Sequence, residues 1–241
     1  NGATNLELID EKRLHELVPA VVGKFAMFSH NSGIVDPFGY TIALAENAHA
    51  NGVEYHFGCE VTAIRREDDD TYEITTTKGN FKTRWVVNCA GLGCGKISDM
   101  LGITGYRIIG SKGDYIILDK RTGPLLPMPV YVIIGPNADM VTDFTYYGVP
   151  QKNMDYLAES ASDLWPCIHK ADYIRNYSGI LPKWVDEKGV IQDFKIEIKD
   201  EIAPHALNLV GIESPGLTAA VPIARYAIEL MKERETLEEN P

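Results

Sequence analysis

The sequence is short of cysteine: Cys59, Cys89, Cys94 and Cys167 are the only four, and no two form a C-x-x-C pair. Without paired Cys/His sets, a zinc or iron-sulfur framework is excluded, and no metal is expected. Four reduced, mostly buried thiols are the expectation. Positive charge is also scarce, with 23 Lys and Arg against 34 Asp and Glu and a net charge of -11. Nucleic acid and anionic membrane surfaces are therefore poor partners. No apolar run approaches the roughly 20 residues that cross a bilayer, so no membrane-spanning segment is expected. The opening stretch, NGATNLELIDEKRLHELVP, carries neither a basic-then-apolar signal nor an initiator Met. It reads as an internal piece of a longer polypeptide, with the cytoplasm as the default location.

What is present is an ordinary globular composition, 45% hydrophobic and 24% charged over 241 residues. That is enough chain for one large domain or two small ones, each with a core. Asp10 is placed to cap a short helix through Val18, stopped by Pro19. AMFSHNSGIVD reads as strand and turn. Asp36 followed by Pro37 is a helix start, an N-cap acceptor and then a proline at the first helical position. Phe38, Ile42, Ala45 and Ala48 follow at helical spacing, and Gly52 supplies the stop. VEYHFGCEVTAI reads as two strand-like pieces, with Val53, Tyr55 and Phe57 alternating. TYEITTTKGNFKTRWVVNCAG continues as strands around a Lys78-Gly79-Asn80 turn. Asp68 to Asp70 form a solvated loop tip.

After residue 105 the pattern changes to separated strands, YRIIGSKGDYIILDK, YVIIGPNADM, YIRNYSGILPKW and DFKIEIKDE, with one helix near 152 to 165. ALNLVGIESPGLTAAVPIARYAIELMKERE then returns to strand, glycine-rich turn and helix. The fold class expected is α/β, α+β in an inserted part: residues 1–105 with 204–241 form one α/β unit, and 106–203 an inserted, mostly antiparallel sheet. At LLPMPVYVIIGPNAD, strand-like material resumes directly after Pro127 and Pro129, near Val130. Either the sheet is trimmed here or a loop is missing.

VVNCAGLGCGKISDM resembles a phosphate-gripping turn, an apolar strand followed by glycines. A Rossmann turn needs G-x-G-x-x-G and an acidic residue about 20 positions later. Gly91 and Gly93 match the first pair, but the third position is Lys96, with Gly95 one residue early. As a primary dinucleotide site it is rejected. Ala90 and Gly91 still let the backbone pass close to a neighbour, whether a packed element or a ligand. GIESPGLTAAVPIA carries more information. Gly211 and Gly216 bracket a tight turn, Pro215 stiffens it, and Thr218 stands where a helix begins. A helix start offers unpaired N–H groups and the positive dipole end, which suit an anionic oxygen or a polarisable heterocycle.

Together, GIVDPFGYTIALAENAHANGVE, CEVTAI, WVVNCAGL, KGDYIILDK and VGIESPGLTAAVPIARYAIELM resemble the FAD-dependent oxidoreductases of the D-amino-acid-oxidase type. The nearest branch looks like the glycerol-3-phosphate dehydrogenases and L-2-hydroxyglutarate oxidases. The resemblance runs in family order over residues 33 to 231. It implies that a backbone segment like Glu60-Val61 lies against the adenine and that Ala90-Gly91 approaches the pyrophosphate or ribose. The turn of Gly211, Ile212, Gly216, Leu217 and Thr218 would lie beside the flavin ring. The inserted sheet would cover the substrate, and the flavin would accept the hydride.

Two departures qualify what is carried over. Relatives open with the G-x-G-x-x-G module that grips the FAD pyrophosphate, and this sequence has none. The expectation is a substrate-domain-bearing, C-terminal portion of a flavoenzyme, with FAD in the intact protein and little or none bound to this chain alone, which by itself would be inactive. The missing N-terminal FAD-binding segment is then a partner. Second, many relatives place an Arg in a G-x-R-P segment to hold the substrate acid group, where SGILPKW has Leu181 and, two residues on, Lys183. A lysine pairs as a point charge without the bidentate fork of arginine. Lys112, Tyr177, Lys183 and Ser214 are the substrate-binding candidates for a small anionic substrate, and His30 is a possible acid-base residue. Glycerol 3-phosphate is the preferred substrate, with an L-2-hydroxy acid or an amino acid as the alternative. A cofactor-free binding module that kept the scaffold is the rival from another class.

Overall fold

In the computed structural model, residues 4–125 and 133–237 are described. The question raised at Pro127 to Val130 falls outside them. In chain order the elements are β1 (Leu6–Asp10), α1 (Glu11–Leu17), β2 (Phe25–Ser29), α2 (Pro37–Ala50), β3 (Val61–Arg66), β4 (Tyr72–Thr76), β5 (Gly79–Thr83) and β6 (Val86–Asn88). They continue with α3 (Cys94–Met100), β7 (Arg107–Leu118), β8 (Ile133–Ile134), β9 (Asp139–Val141), α4 (Gln151–Leu164), β10 (Tyr173–Val185), β11 (Lys195–Ile198), β12 (Ala206–Val210) and α5 (Gly216–Lys232). Helix and strand are mixed throughout, as an α/β chain requires.

The local signals act as the sequence implies. The Asp10 side chain accepts from the Arg13 N–H at 2.8 Å and caps α1, which ends at Val18. Pro37 begins α2, and Gly52, at φ +92°, ends the turn that follows it. Residues 53 to 57 are a correction: no strand forms there. Tyr55 and Phe57 stack on each other in exposed positions, centroids 5.7 Å apart, and the Tyr55 hydroxyl donates to the Ala45 carbonyl. Alternation is a strand only where a neighbouring strand takes the hydrogen bonds. The chain reaches that condition at Val61, where β3 pairs antiparallel with β4, and β4 with β5.

The chain divides into two compact units. The first comprises residues 1–36 and 112–180; the second comprises 37–111 and 181–241. This differs from the boundaries at 105/106 and 203/204. The amino-terminal hairpin β1–β2 falls with the strands after Lys112, and β11 leaves the inserted part altogether. The reason for the latter is pairing: β11 lies antiparallel to β12, which extends the sheet to β11-β12-β6.

In the first unit, Val18, Ile116, Leu118, Ile134, Leu157, Ala161 and Ile168 form the core. β8 lies antiparallel to β7, with Ile116 opposite Ile134. α4 presents Leu157 and Ala161 at the i, i+4 spacing that makes one apolar face. In the second unit the core gathers Tyr72, Val86, Cys94, Leu101, Ile103, Tyr106, Ala203, Ala206 and Val210. The Tyr72 hydroxyl reaches the Pro204 carbonyl at 2.6 Å, which ties the β3-β4-β5 sheet to the loop before β12. Among the described residues no helix is long and apolar enough to cross a membrane, and no group of His, Cys, Asp and Glu could hold a metal.

Candidate functional site

Parallel strands end at the same edge of a sheet. β6 and β12 run parallel, with Val86 opposite Ala206 and Asn88 opposite Asn208. The chain therefore leaves β6 through Cys89, Ala90 and Gly91, and leaves β12 through Gly211 and Ile212, at one carboxyl edge. In open α/β sheets ligands bind outside such edges. All eight residues assigned to the cofactor lie in the second unit, and seven of them follow these two strands directly or start the helix after them.

The two turns differ in kind. Gly91 has φ +55°, and a Cβ there would meet nothing within 4 Å. Its backbone is open to an approaching ligand. Gly211, at φ +68°, is closed by protein: a Cβ would sit 2.5 Å from Cδ1 of Trp184. The indole of Trp184 accounts for that glycine without any cofactor. Gly216 opens α5, and a Cβ there would come within 2.9 Å of Ile212, so the turn is tight on its own account.

The start of α5 has no side-chain cap, since Pro215 holds the N-cap position. The first α-helical bond runs from the Ala219 N–H to the Pro215 carbonyl, at 3.0 Å. The N–H groups of Leu217 and Thr218 precede it, and both residues are exposed. Their side of the helix carries the positive dipole end. Val61 opens β3 and lines a cavity of about 370 Å³ together with Ile64, Phe81, Asn88, Cys89 and Ala90. That cavity joins two segments, around Val61 and Ala90, that are far apart in sequence.

Three of the four substrate candidates, Lys112, Tyr177 and Lys183, have protein partners. Lys112 is 4% exposed and Asp114 0%. The Lys112 ammonium donates to Asp114 Oδ1 at 2.8 Å and to the Gly148 carbonyl at 2.7 Å, and it lies 5.5 Å from the Tyr146 ring centre. Asp114 Oδ2 accepts from Asn153 Nδ2 at 2.6 Å, and its backbone N–H donates to Asn137 Oδ1 at 2.7 Å. Lys112 is thus the centre of a buried polar network in the first unit and presents no ammonium to solvent. In the same unit Tyr177 stacks on Tyr115, centroids 4.8 Å apart and planes 6° from parallel, and burial pushes its phenol up. In the second unit the half-buried Lys183 is bonded to Glu213, in the turn before α5. Ser214, next in that turn, is exposed. His30 is an exposed residue of the first unit, 3.2 Å from Glu7 and edge-on to Phe28.

Three residues that the sequence reading passed over underlie the site. Asn88, Ser98 and Asn208 are buried between β6, β12 and α3. Asn88 Nδ2 donates to the Cys94 carbonyl at 2.8 Å and to Asn208 Oδ1 at 2.9 Å, and Ser98 Oγ donates to Asn208 Oδ1 at 2.9 Å. Asn88 Oδ1 accepts from the Ala90 N–H at 3.2 Å. The available signal was an amide in each apolar stretch, closing β6 in VVNCA and central to β12 in ALNLV, where parallel strands are usually apolar on both faces.

The family profile described as FAD dependent oxidoreductase matches residues 1–230. A glycerol 3-phosphate dehydrogenase of Caloramator mitchellensis is 30% identical over 96% of this chain and 51% of its own length. The mitochondrial L-2-hydroxyglutarate dehydrogenase of Nematostella vectensis is 22% identical over 98% of this chain and 67% of its own. The chain thus spans about half the length of the first of these relatives. Among solved structures, the dithionite-reduced L-α-glycerophosphate oxidase of Mycoplasma pneumoniae, with FAD bound, superposes with a TM-score of 0.80 at 19% identity, over 100% of this chain and 68% of that one. The chain belongs to the family of FAD-dependent oxidoreductases.

Proposed function

We propose that residues 1–241 carry the flavin-facing turn and the substrate-covering strands of an FAD-dependent dehydrogenase that oxidises a small anionic alcohol, glycerol 3-phosphate foremost. The observation that carries this is the shared carboxyl edge of β6 and β12, where Ala90-Gly91 and the Gly211–Thr218 turn leave the sheet. The 30% identity to a glycerol 3-phosphate dehydrogenase supports the choice of substrate.

The residues fit a flavin nucleotide. Gly91 leaves room for close approach, and the uncapped start of α5 offers two N–H groups to an anionic edge. When bound, FAD supplies the hydride acceptor. The Leu217 and Thr218 amides, at the positive end of α5, would hold the anionic edge of the ring. Val61 and Ala90 hold the nucleotide end through the cavity they line. Lys183 faces the substrate anion as half of an ion pair, so Glu213 tempers its charge and fixes where the ammonium stands. Tyr177, braced by Tyr115, gives the substrate-covering sheet a rigid aromatic wall. Lys112 supports that sheet from within through Asp114 and Gly148. No G-x-G-x-x-G turn occurs in the 241 residues, so the chain by itself takes up FAD weakly.

Anaerobic flavin bleaching of the intact protein tests the reading. Glycerol 3-phosphate is expected to reduce the flavin faster than L-2-hydroxyglutarate or glycine. Faster bleaching by L-2-hydroxyglutarate would move the assignment to the 2-hydroxy acids, and by glycine to the amino-acid oxidases. Binding of small anions with no flavin uptake in the intact protein would overturn the enzyme reading.

A further inference from the structure

Asn208 is fully buried, yet its Nδ2 has no hydrogen-bond partner. A position that served packing alone would hold an apolar residue, because an unpaired buried amide costs stability. The other half of the same side chain is heavily used. Asn208 Oδ1 receives Asn88 Nδ2 and Ser98 Oγ, both at 2.9 Å. Asn88, so held, spans the turn after β6. Its Oδ1 takes the Ala90 N–H at the beginning and its Nδ2 gives to the Cys94 carbonyl at the end.

The circuit runs from Asn208 in β12, three residues ahead of Gly211, to Asn88 and from there across the Ala90–Cys94 turn. We propose that Asn208 is a positioning residue that, through Asn88, sets the Ala90-Gly91 turn against the Gly211-Ile212 turn. In the flavoenzyme reading, on which the cofactor part of this inference rests, the spacing so fixed is that between the nucleotide end and the ring end of one FAD molecule. Asn208 acts only as an acceptor, so a residue that keeps the oxygen and loses the amide hydrogens preserves the circuit.

Residue-resolved hydrogen exchange on the purified protein, together with FAD titration of the intact protein, tests this. In Asn208→Leu, exchange at Ala90 and Gly211 is expected to quicken by about tenfold, the scale of one or two lost buried hydrogen bonds, while the β3-β4-β5 amides keep their rates. FAD affinity should fall by about the same factor. Asn208→Asp, taken up protonated with its oxygen in place, should stay within about threefold of the parent in both measurements. If Asn208→Leu does not fold, Asn208→Ser, too short to reach Asn88, is read in its place. Unchanged exchange at the two turns, a rise spread evenly over the second unit, or an Asn208→Asp that behaves like Asn208→Leu would each overturn the proposal. Exchange as expected with no flavin uptake by the parent protein would leave the circuit standing and overturn the flavoenzyme reading instead.

Discussion

The two units each bury a polar network, and the networks are built to opposite ends. In the first unit Lys112, Asp114, Asn153 and Asn137 satisfy one another, with Gly148 and Asp139 completing the set. In the second, Asn88 and Ser98 direct their hydrogens at Asn208 Oδ1 and leave Asn208 Nδ2 unpaired. A complete network serves rigidity, since each group lost exposes an unpaired charge or amide. An incomplete one is held at a cost and, here, ties two turns at the sheet edge where a ligand would lie. The first unit's network therefore predicts stability effects, and the second's predicts local ones.

The largest expected effect breaks the complete network. Lys112→Met leaves Asp114 buried without its cation and should cost about 3–5 kcal/mol, read by urea unfolding. The double variant Lys112→Met with Asp114→Leu should recover much of that loss. A single variant that unfolds with the parent would show that the buried pair contributes nothing, and the contrast between the units would fail.

A smaller effect separates the two turns of the second unit. Gly211→Ala meets both a positive φ and the Trp184 indole, and should cost about 2–4 kcal/mol. Gly91→Ala meets a positive φ and open space, and should cost only about 1–2 kcal/mol. FAD titration of the intact protein should rank them differently, with Gly91→Ala losing affinity out of proportion to its stability. Equal losses in both measurements would mean the Gly91 turn is as closed as the Gly211 turn.

The smallest effect comes from an exposed pair, which serves as the reference for the buried ones. The Lys82 ammonium bonded to Asp69, with Thr71 assisting, pulls the Asp69 carboxyl down to about 2. A depressed folded-state value means that the pair contributes above the ordinary carboxylate range and is lost as pH falls toward 2. Lys82→Met should return the Asp69 titration, followed by NMR, toward its usual value. Thermal stability at pH 7 should change little, because an exposed pair is screened by water. A large loss at pH 7 would erase the distinction between exposed and buried charge on which the comparison of networks rests.

Much of the local structure was legible in the residues. Asp10, Pro37 and Gly52 mark helix ends by chemistry that acts within a few residues. The Gly211–Thr218 corner was legible as strand, turn and helix for the same reason. Residues 53 to 57 were misread because alternation says nothing about whether a partner strand exists. That Lys112 stands beside Asp114 and Lys183 beside Glu213 was not legible, because the sequence does not show which charges meet in space. Gly211 showed its freedom from a side chain but not the Trp184 indole that demands it. The position of β11 depended on pairing with β12 rather than on its place in the chain order.

By itself the sequence determined most of the elements, several of their ends, the acidic balance and the family, since all of these rest on interactions between near neighbours or on patterns spread in order along the chain. Tertiary structure alone decided which charges are spent on each other, which glycine is walled in, and that two asparagines 120 residues apart share one hydrogen bond. Burial and pairing are properties of space, and a residue's worth at a site is set by what surrounds it once water has been removed.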